Sequence, residues 1–173
     1  MRNLRSSVQR RRELARINSA VNFGIAPKDP PATRDDVERQ IFPYEGNCGD
    51  YAVTKRDRLL RSGWPRSALL LAEVIIRTNG AHHLVLLVLK RRVVLVLDNL
   101  SPVVTPLVEA LDGYVIVRAE SGTDPQRWTR DVAAFWLGYW PTTGPRLKAV
   151  INPIQLFSAG DFWHTAAAKL PLI

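Results

Sequence analysis

One cysteine stands where a nucleophile is expected. Cys48 is the only cysteine among the 173 residues, and it lies between Asn47 and Gly49, with Asp50 next along the chain. Asn47 suits a helix N-cap, and Asp50 three residues later completes a capping box. Cys48 would then begin the helix, where unpaired N–H groups and the positive end of the helix dipole lower a thiol pKa. The polar neighbours favour this reactive thiol over a buried structural cysteine.

Two apolar segments further along the chain predict an antiparallel β-hairpin. They are Leu84–Leu89 and Val93–Leu97, and three basic residues, 90–92, separate them. Leucine- and valine-rich runs of this length around a short polar turn are typical of paired strands. We predict that the hairpin is centred between Lys90 and Arg91. The turn has no Asn-Gly pair to fix its length, so a three-residue loop is the alternative.

The register of this hairpin decides which side chain faces His83. In the first register His83 lies opposite Asp98, and the two side chains share one face of the sheet. The three-residue loop shifts the pairing by one residue and places Asn99 there instead. His82 leaves the opposite face of the strand, so one of the two histidines can serve the site. A base beside an orienting acid, together with Cys48, is the set of groups that nucleophilic catalysis requires.

Three motifs carry a resemblance to a known family: residues 46–55, 83–86 and 96–100, supported by 63–65 and 124–128. They resemble the bacterial transglutaminase-like cysteine proteinases (LapG-like), over roughly residues 10–130. The resemblance implies a cysteine endopeptidase that hydrolyses a protein substrate through a thioester intermediate. It implies Cys48 as the nucleophile, His83 as the base and Asp98 as its orienting residue. Two alternatives are a transglutaminase-type acyl transferase with the same residues and a catalytically silent binding module on the same fold.

The resemblance also implies a fold and a domain organisation. The expected class is α+β, papain-like or transglutaminase-like, with an antiparallel sheet of about four strands and the nucleophile at the N-terminus of a packed helix. Residues 1–130 are predicted to form the proteinase domain, including an N-terminal helix at 7–25. Residues 131–173 are predicted to be a C-terminal extension packed on the same domain. Its aromatic segment, 135–140, is predicted to cover the sheet, and a partner surface or the lining of a peptide groove are the alternatives.

The resemblance raises the question of calcium. In LapG-like enzymes the nucleophile is flanked by acidic residues that help to bind calcium. Asn47 and Gly49 occupy those positions here, and Asp50 is the only acid left in the motif. A hard cation prefers several carboxylate or carbonyl oxygens. The sequence therefore predicts no cofactor and no metal site, and calcium is the less favoured alternative.

The predicted elements must bring these residues together. Asn18 and Asn22 lie one turn apart on the 7–25 helix, and we predict that they are polar surface residues. Strands are predicted at 68–77 and 114–118, with one helical turn at 107–111. The helix that begins at Cys48 is predicted to continue to Ser62, with Gly63 after its end. It is predicted to bury Ala52, Val53, Leu59 and Leu60 and to expose Lys55, Arg58 and Arg61.

Composition sets limits on partners and location. The net charge is +8, but the arginine-rich N-terminal segment has no interleaved aromatic residues, so a solvated helix is favoured over nucleic-acid binding. No apolar run reaches the length of a membrane span, so no membrane insertion is predicted. The N-terminal charges precede no apolar segment, which predicts a cytoplasmic protein as the sequence stands, or a periplasmic one if an export signal was removed. The sequence does not predict the oligomeric state.

Overall fold

The computed structural model describes residues 7–28, 39–90, 93–122, 124 and 126–130. The predicted C-terminal extension, with its aromatic segment, lies outside the described residues. None of the described helices is long and apolar enough to cross a membrane. The helices are α1 (Ser7–Gly24), α2 (Cys48–Arg61) and α3 (Leu107–Ala110), and the strands are β1 (Ala26–Pro27), β2 (Glu45–Gly46), β3 (Leu69–Ile76), β4 (His82–Lys90), β5 (Val93–Leu97), β6 (Thr105–Pro106), β7 (Tyr114–Glu120) and β8 (Trp128–Thr129).

Within the described residues the main sheet has six strands in the order β6-β5-β4-β3-β7-β8, and all these pairs are antiparallel. The four long strands are the predicted ones, and β6 and β8 add a two-residue strand at each edge. A separate parallel pair, β1 with β2, joins the end of α1 to the segment before Cys48. The predicted α+β class is therefore confirmed.

Both faces of the sheet are buried, which explains why its strands lack a polar face. On β4 the side chains alternate between two apolar clusters. One cluster contains residues of α1 and α2, and the other is covered by Leu107 and its neighbours on α3. The β4 members of the first cluster are Leu84, Leu86 and Val88, and those of the second are Val85, Leu87 and Leu89.

Helix α1 packs along one side of α2. Leu14, Ile17 and Val21 repeat at helical spacing and are at most 5% exposed, so the predicted amphipathic helix is confirmed. The prediction for Asn18 is wrong, because its side chain is completely buried. Its Nδ2 donates to the carbonyl of Ser101, 2.9 Å away, and this hydrogen bond makes burial of the amide tolerable.

Helix α2 begins and ends as predicted but turns a different face to the core. Ser62 caps the helix, and Gly63 follows with a φ of +85°, a conformation that glycine adopts without strain. Two burial predictions are wrong: Lys55 is 1% exposed and Leu60 is 38% exposed. The stripe that contacts the sheet runs through Cys48, Ala52, Lys55 and Leu59, so helical spacing rather than residue type decides which side chains are buried.

The hairpin register also differs from the prediction. Lys90 pairs with Val93 and Leu86 with Leu97, so the turn is centred between residues 91 and 92. The centre lies one residue beyond the predicted one, so each residue of β4 pairs two residues away from its predicted partner, and neither predicted register is correct. Because side chains alternate with a period of two, a two-residue shift leaves each side chain on the same face of the sheet.

Candidate functional site

The cap of α2 fixes the position of Cys48. The side-chain oxygen of Asn47 accepts the N–H of Gly49 at 2.9 Å, and Oδ2 of Asp50 accepts the N–H of Asn47 at 2.9 Å. The predicted capping box is thus confirmed. Cys48 is the first residue of the helix, so its sulfur lies beside the positive end of the helix dipole.

The sulfur meets β4 where that strand is open on one side. Strand β5 ends at Leu97, opposite Leu86, so residues 82–85 have no β5 partner. At this opening the Cys48 side chain forms a hydrogen bond with the side chain of His83 and accepts one from the backbone N–H of Leu84. The end of β5 therefore leaves the space in which the cysteine and the histidine meet.

The imidazole of His83 connects Cys48 to Asp98. Its Nε2 lies 2.7 Å from Oδ1 of Asp98, which leaves Nδ1 for the sulfur. Burial lowers the pKa of His83, but the hydrogen bonds and charges of Asp98 and Cys48 raise it, with a net result of about 9. The ring is consequently poised to carry a positive charge between two groups that prefer to be negative.

Asp98 is held by more groups than sequence reasoning identified. Besides His83, its Oδ1 accepts the N–H of Leu100 at 3.0 Å, and its Oδ2 accepts the hydroxyl of Tyr114. Burial raises the pKa of Asp98, but these hydrogen bonds and the charge of His83 lower it below its ordinary value. The carboxylate is therefore kept ionised although it is only 4% exposed.

Tyr114 is the residue that the sequence analysis missed. It begins β7, and its ring lies 6.2 Å from that of His83. Burial and the neighbouring carboxylate of Asp98 raise the pKa of Tyr114, so its hydroxyl stays a donor. Strand β7 was predicted, but its pairing with β3, which brings Tyr114 close to the end of β4, joins segments far apart in sequence and left no local signal.

Two asparagines of α1 hold the loop that carries Asp98. Nδ2 of Asn22 lies 2.8 Å from the carbonyl of Asp98 and 3.0 Å from that of Ser101. Asn18 donates to the same Ser101 carbonyl. Among the described strands none pairs with this loop at Asp98, so these side-chain hydrogen bonds hold its backbone in place of a ladder.

The thiol of Cys48 responds to this environment. Burial, the largest influence, raises its pKa. The hydrogen bond and charge of His83 and the N–H groups of Leu84 and Gly49 lower it further than burial raises it, so the net pKa lies below the ordinary value. The site thus favours a thiolate beside an imidazolium.

The neighbouring histidine belongs to a different cluster. Nδ1 of His82 lies 2.8 Å from Oε1 of Glu73, and the other carboxylate oxygen of Glu73 accepts Nε of Arg118 at 2.6 Å. The structure therefore brings Cys48, His83 and Asp98 together and directs His82 to an acid on β3.

The fold is similar to that of solved structures. A calcium-bound LapG from Legionella pneumophila aligns with a TM-score of 0.58 and 20% identity, over 82% of this chain and 78% of that one. Two other structures of the same protein, one of them treated with EGTA, align with a TM-score of 0.55 and 18% identity, over 82% of this chain and 77% of theirs. No curated protein matches this sequence. At this identity the likeness shows the shared fold.

The prediction of no cofactor is wrong, because a protein with this fold has been solved with calcium bound. The described residues near Cys48 offer calcium few oxygens. Asp50 uses both carboxylate oxygens for backbone N–H groups, those of Gln40 at 2.7 Å and Asn47 at 2.9 Å. Among the residues that the structure describes, no three His, Cys, Asp or Glu side chains group as metal ligands. The mechanism below therefore uses protein groups alone.

A family assignment rests on the sequence itself. The sequence model of the bacterial transglutaminase-like cysteine proteinases, BTLCP, matches residues 1–133, which is most of the chain. The match includes all of α1 and α2 and the segments that contain His83, Asp98 and Tyr114. The chain belongs to the bacterial transglutaminase-like cysteine proteinase family, and it is a cysteine peptidase.

Proposed function

We propose that this protein is an endopeptidase in which Cys48 is the nucleophile, His83 the general acid and base, and Asp98 the residue that orients His83. The observation that carries the proposal is the chain of hydrogen bonds from the sulfur of Cys48 through the imidazole to the carboxylate. The pKa of the Cys48 thiol is lowered, which suits a nucleophile, and the pKa of the His83 imidazole is raised, which suits a proton donor.

The first half of the reaction forms a thioester. The Cys48 thiolate attacks the carbonyl carbon of a peptide bond, and the carbonyl oxygen becomes negatively charged. The N–H of Cys48 lies in the first turn, where the helix supplies no acceptor, so it can donate to this oxyanion. As the C–N bond breaks, the His83 imidazolium gives its proton to the leaving nitrogen, and a new amino terminus departs.

The second half regenerates the enzyme. The now neutral His83 accepts a proton from water, and the resulting hydroxide attacks the thioester carbon. The C–S bond breaks, the substrate leaves as a carboxylic acid, and Cys48 returns to the thiolate beside a protonated His83. Asp98 keeps Nε2 protonated throughout, because its Oδ1 accepts that N–H.

The surroundings of the site suit a polypeptide substrate. Large apolar side chains close in sequence to the site residues are exposed to solvent: Tyr44, four residues before Cys48, is 90% exposed, and Leu100, two residues after Asp98, is 60% exposed. Exposed apolar groups beside a reactive centre are typical of surfaces that bind a partner chain. A protein substrate is therefore the class that we propose.

The test is a search for newly formed termini. The protein is incubated with unfolded casein and with a peptide library from a digested proteome, and the products are identified by mass spectrometry. We expect cleavage at internal bonds by the wild type and none by Cys48→Ala. The absence of new termini in both substrates, or equal cleavage by Cys48→Ala, would contradict the proposal.

A fluorescent primary amine in the same reaction separates hydrolysis from amine transfer. The proposal expects products that end in free carboxylates, with little label incorporated. Labelled products without free carboxylates would identify an acyl transferase instead. Circular dichroism of Cys48→Ala is the control for folding, and it should match the wild type because replacing one half-buried sulfur leaves little empty volume.

A further inference from the structure

A buried lysine lies on the same stripe of α2 as the nucleophile. Lys55 is seven residues, two helical turns, after Cys48, and only 1% of its surface is exposed. Its neighbours on the stripe, Ala52 and Leu59, belong to the apolar cluster between α2 and the sheet. Lysine is almost never fully buried without a partner, so this position needs an explanation.

The charge that acts on Lys55 is that of Asp98. Burial lowers the pKa of Lys55 to about 7, and attraction to the Asp98 carboxylate offsets only part of this effect. The folded-state pKa is below the ordinary one of a lysine, so burial of the ammonium opposes folding at pH values below about 7. This destabilisation decreases as the pH rises above about 7, and it is lost above the ordinary pKa of a lysine. The fold thus carries a charge that destabilises it.

Other charged groups on the elements packed against α2 are engaged elsewhere. Glu13 on α1 accepts the indole N–H of Trp64, and Glu73 on β3 accepts from Arg118. Asp50, on α2 itself, caps the helix. On β4, His82 is hydrogen-bonded to Glu73 and His83 to Asp98, and Glu45 on β2 lies 3.9 Å from Lys28. Asp98 is therefore the site residue whose charge acts on the buried Lys55.

A count of charges shows what the lysine supplies. The reactive form proposed above contains the Cys48 thiolate, the His83 imidazolium and the Asp98 carboxylate, which together carry a net charge of −1 in a largely buried site. The Lys55 ammonium brings the sum to zero. Buried charges are costly unless they are balanced. As the pH rises, Asp98 ionises before Cys48, so an unbalanced negative charge in the site mainly disfavours the thiolate.

We propose that Lys55 is a positioning residue of the nucleophile: its buried ammonium balances the charge of Asp98 and so permits the Cys48 thiolate to form at lower pH. This inference rests on the proposed roles of Cys48, His83 and Asp98. Helix α2 would then favour the Cys48 thiolate in two ways, through the dipole at its N-terminus and through the charge of Lys55. The buried Lys55 ammonium destabilises the fold, but it favours the thiolate form of Cys48.

The test follows alkylation of Cys48 by iodoacetamide between pH 4 and pH 9. Lys55→Met and Lys55→Gln remove the charge with side chains of similar length, and Leu59→Met is the control for repacking on the same stripe. We expect both Lys55 variants to raise the apparent thiol pKa by about half to one unit, the effect of one unit charge at moderate distance. Their rates should differ from the wild-type rate below pH 7 and converge above it. Leu59→Met should leave the profile unchanged.

Thermal unfolding at pH 6 supplies the second measurement. If Lys55 acts as proposed, Lys55→Met is at least as stable as the wild type while its thiol is less reactive. Unchanged alkylation profiles in folded Lys55 variants would overturn the inference, and so would failure of both variants to fold, since Lys55 would then be structural. A wild-type thiol with an unperturbed pKa would instead overturn the proposed function, so the two failures are distinguishable.

Discussion

Nε2 of His83 lies 2.7 Å from Oδ1 of Asp98 although the two residues do not oppose each other in the ladder. If the register of β4 and β5 continued past Leu97, Asp98 would lie opposite Val85. The two side chains are instead diagonal neighbours on the same face, a separation that long side chains can span. The carboxylate reaches the imidazole because β5 ends just before it and the chain is free to turn towards His83.

Substitution of the two histidines should separate their roles. His83→Ala removes the proposed acid and base and should lower kcat/KM by about a thousandfold or more. His82→Ala loses a hydrogen bond to Glu73 outside the site and should lower it only severalfold. The kcat/KM values of both variants are measured with a peptide identified in the cleavage screen. Equal losses in the two variants would show that His83 has no special role.

Tyr114→Phe should weaken the hold on Asp98. The variant loses one hydrogen bond to an ionised group, and we expect kcat to fall about tenfold, the equivalent of 1–2 kcal/mol. Tyr51→Phe is the matched control, because it removes a hydroxyl that donates to the carbonyl of Ile25 at 2.6 Å and not to a site residue. This control should lose stability but keep its kcat. A Tyr114→Phe enzyme with wild-type kcat would contradict a role in orienting Asp98.

Asn22→Ala should loosen the loop that carries Asp98. It removes hydrogen bonds to two backbone carbonyls, and we expect the free energy of unfolding to fall by about 1–3 kcal/mol. Catalysis should fall severalfold as well, because Asp98 loses a backbone contact. Asn79→Ala, which removes an exposed turn hydrogen bond, should change neither quantity much. Urea unfolding and peptide kinetics measure these effects, and loss of stability with full activity would show that the loop does not position Asp98.

The pH dependence of hydrolysis should follow the ionisation of the pair formed by the Cys48 thiolate and the His83 imidazolium. The active form needs an ionised Cys48 and a protonated His83, so the rate should rise through the lowered thiol pKa and fall through the imidazole pKa of about 9. The decrease at high pH should be present in peptide hydrolysis, which needs the acid, and absent from alkylation, which needs only the thiolate. Hydrolysis that keeps rising above pH 10 would indicate that His83 does not act as the acid.

Local features of this chain were predictable, and long-range ones were not. The start of α2 followed from Asn47 and Asp50, because capping depends on residues three apart. The hairpin was predicted, but its register was not, since the basic turn contains no residue that fixes its length. His83 and Asp98 were still grouped correctly in space because a shift of two residues preserves the face.

Two residues were mispredicted because their surroundings depend on their position in the fold and not on their residue type. Lys55 was expected at the surface because lysine usually is, whereas its place on the stripe with Cys48 buries it. Tyr114 could not be placed at the site because its strand pairs with β3, which is distant in sequence. Tyr114 donates a hydrogen bond to Asp98, and the charge of Asp98 acts on Lys55, so both residues that escaped prediction interact with that carboxylate.

The most direct test of the account is the pKa of the Cys48 thiol, measured from the pH dependence of its alkylation in the wild type and in His83→Ala. We predict a wild-type pKa clearly below the ordinary value, because His83 and two backbone N–H groups favour the thiolate. In His83→Ala only the two backbone N–H groups oppose the effect of burial, and the pKa of the thiol should rise to the ordinary value or above it. A wild-type thiol that titrates at or above its ordinary value, or one whose pKa is the same in both proteins, would contradict the proposal that His83 activates Cys48.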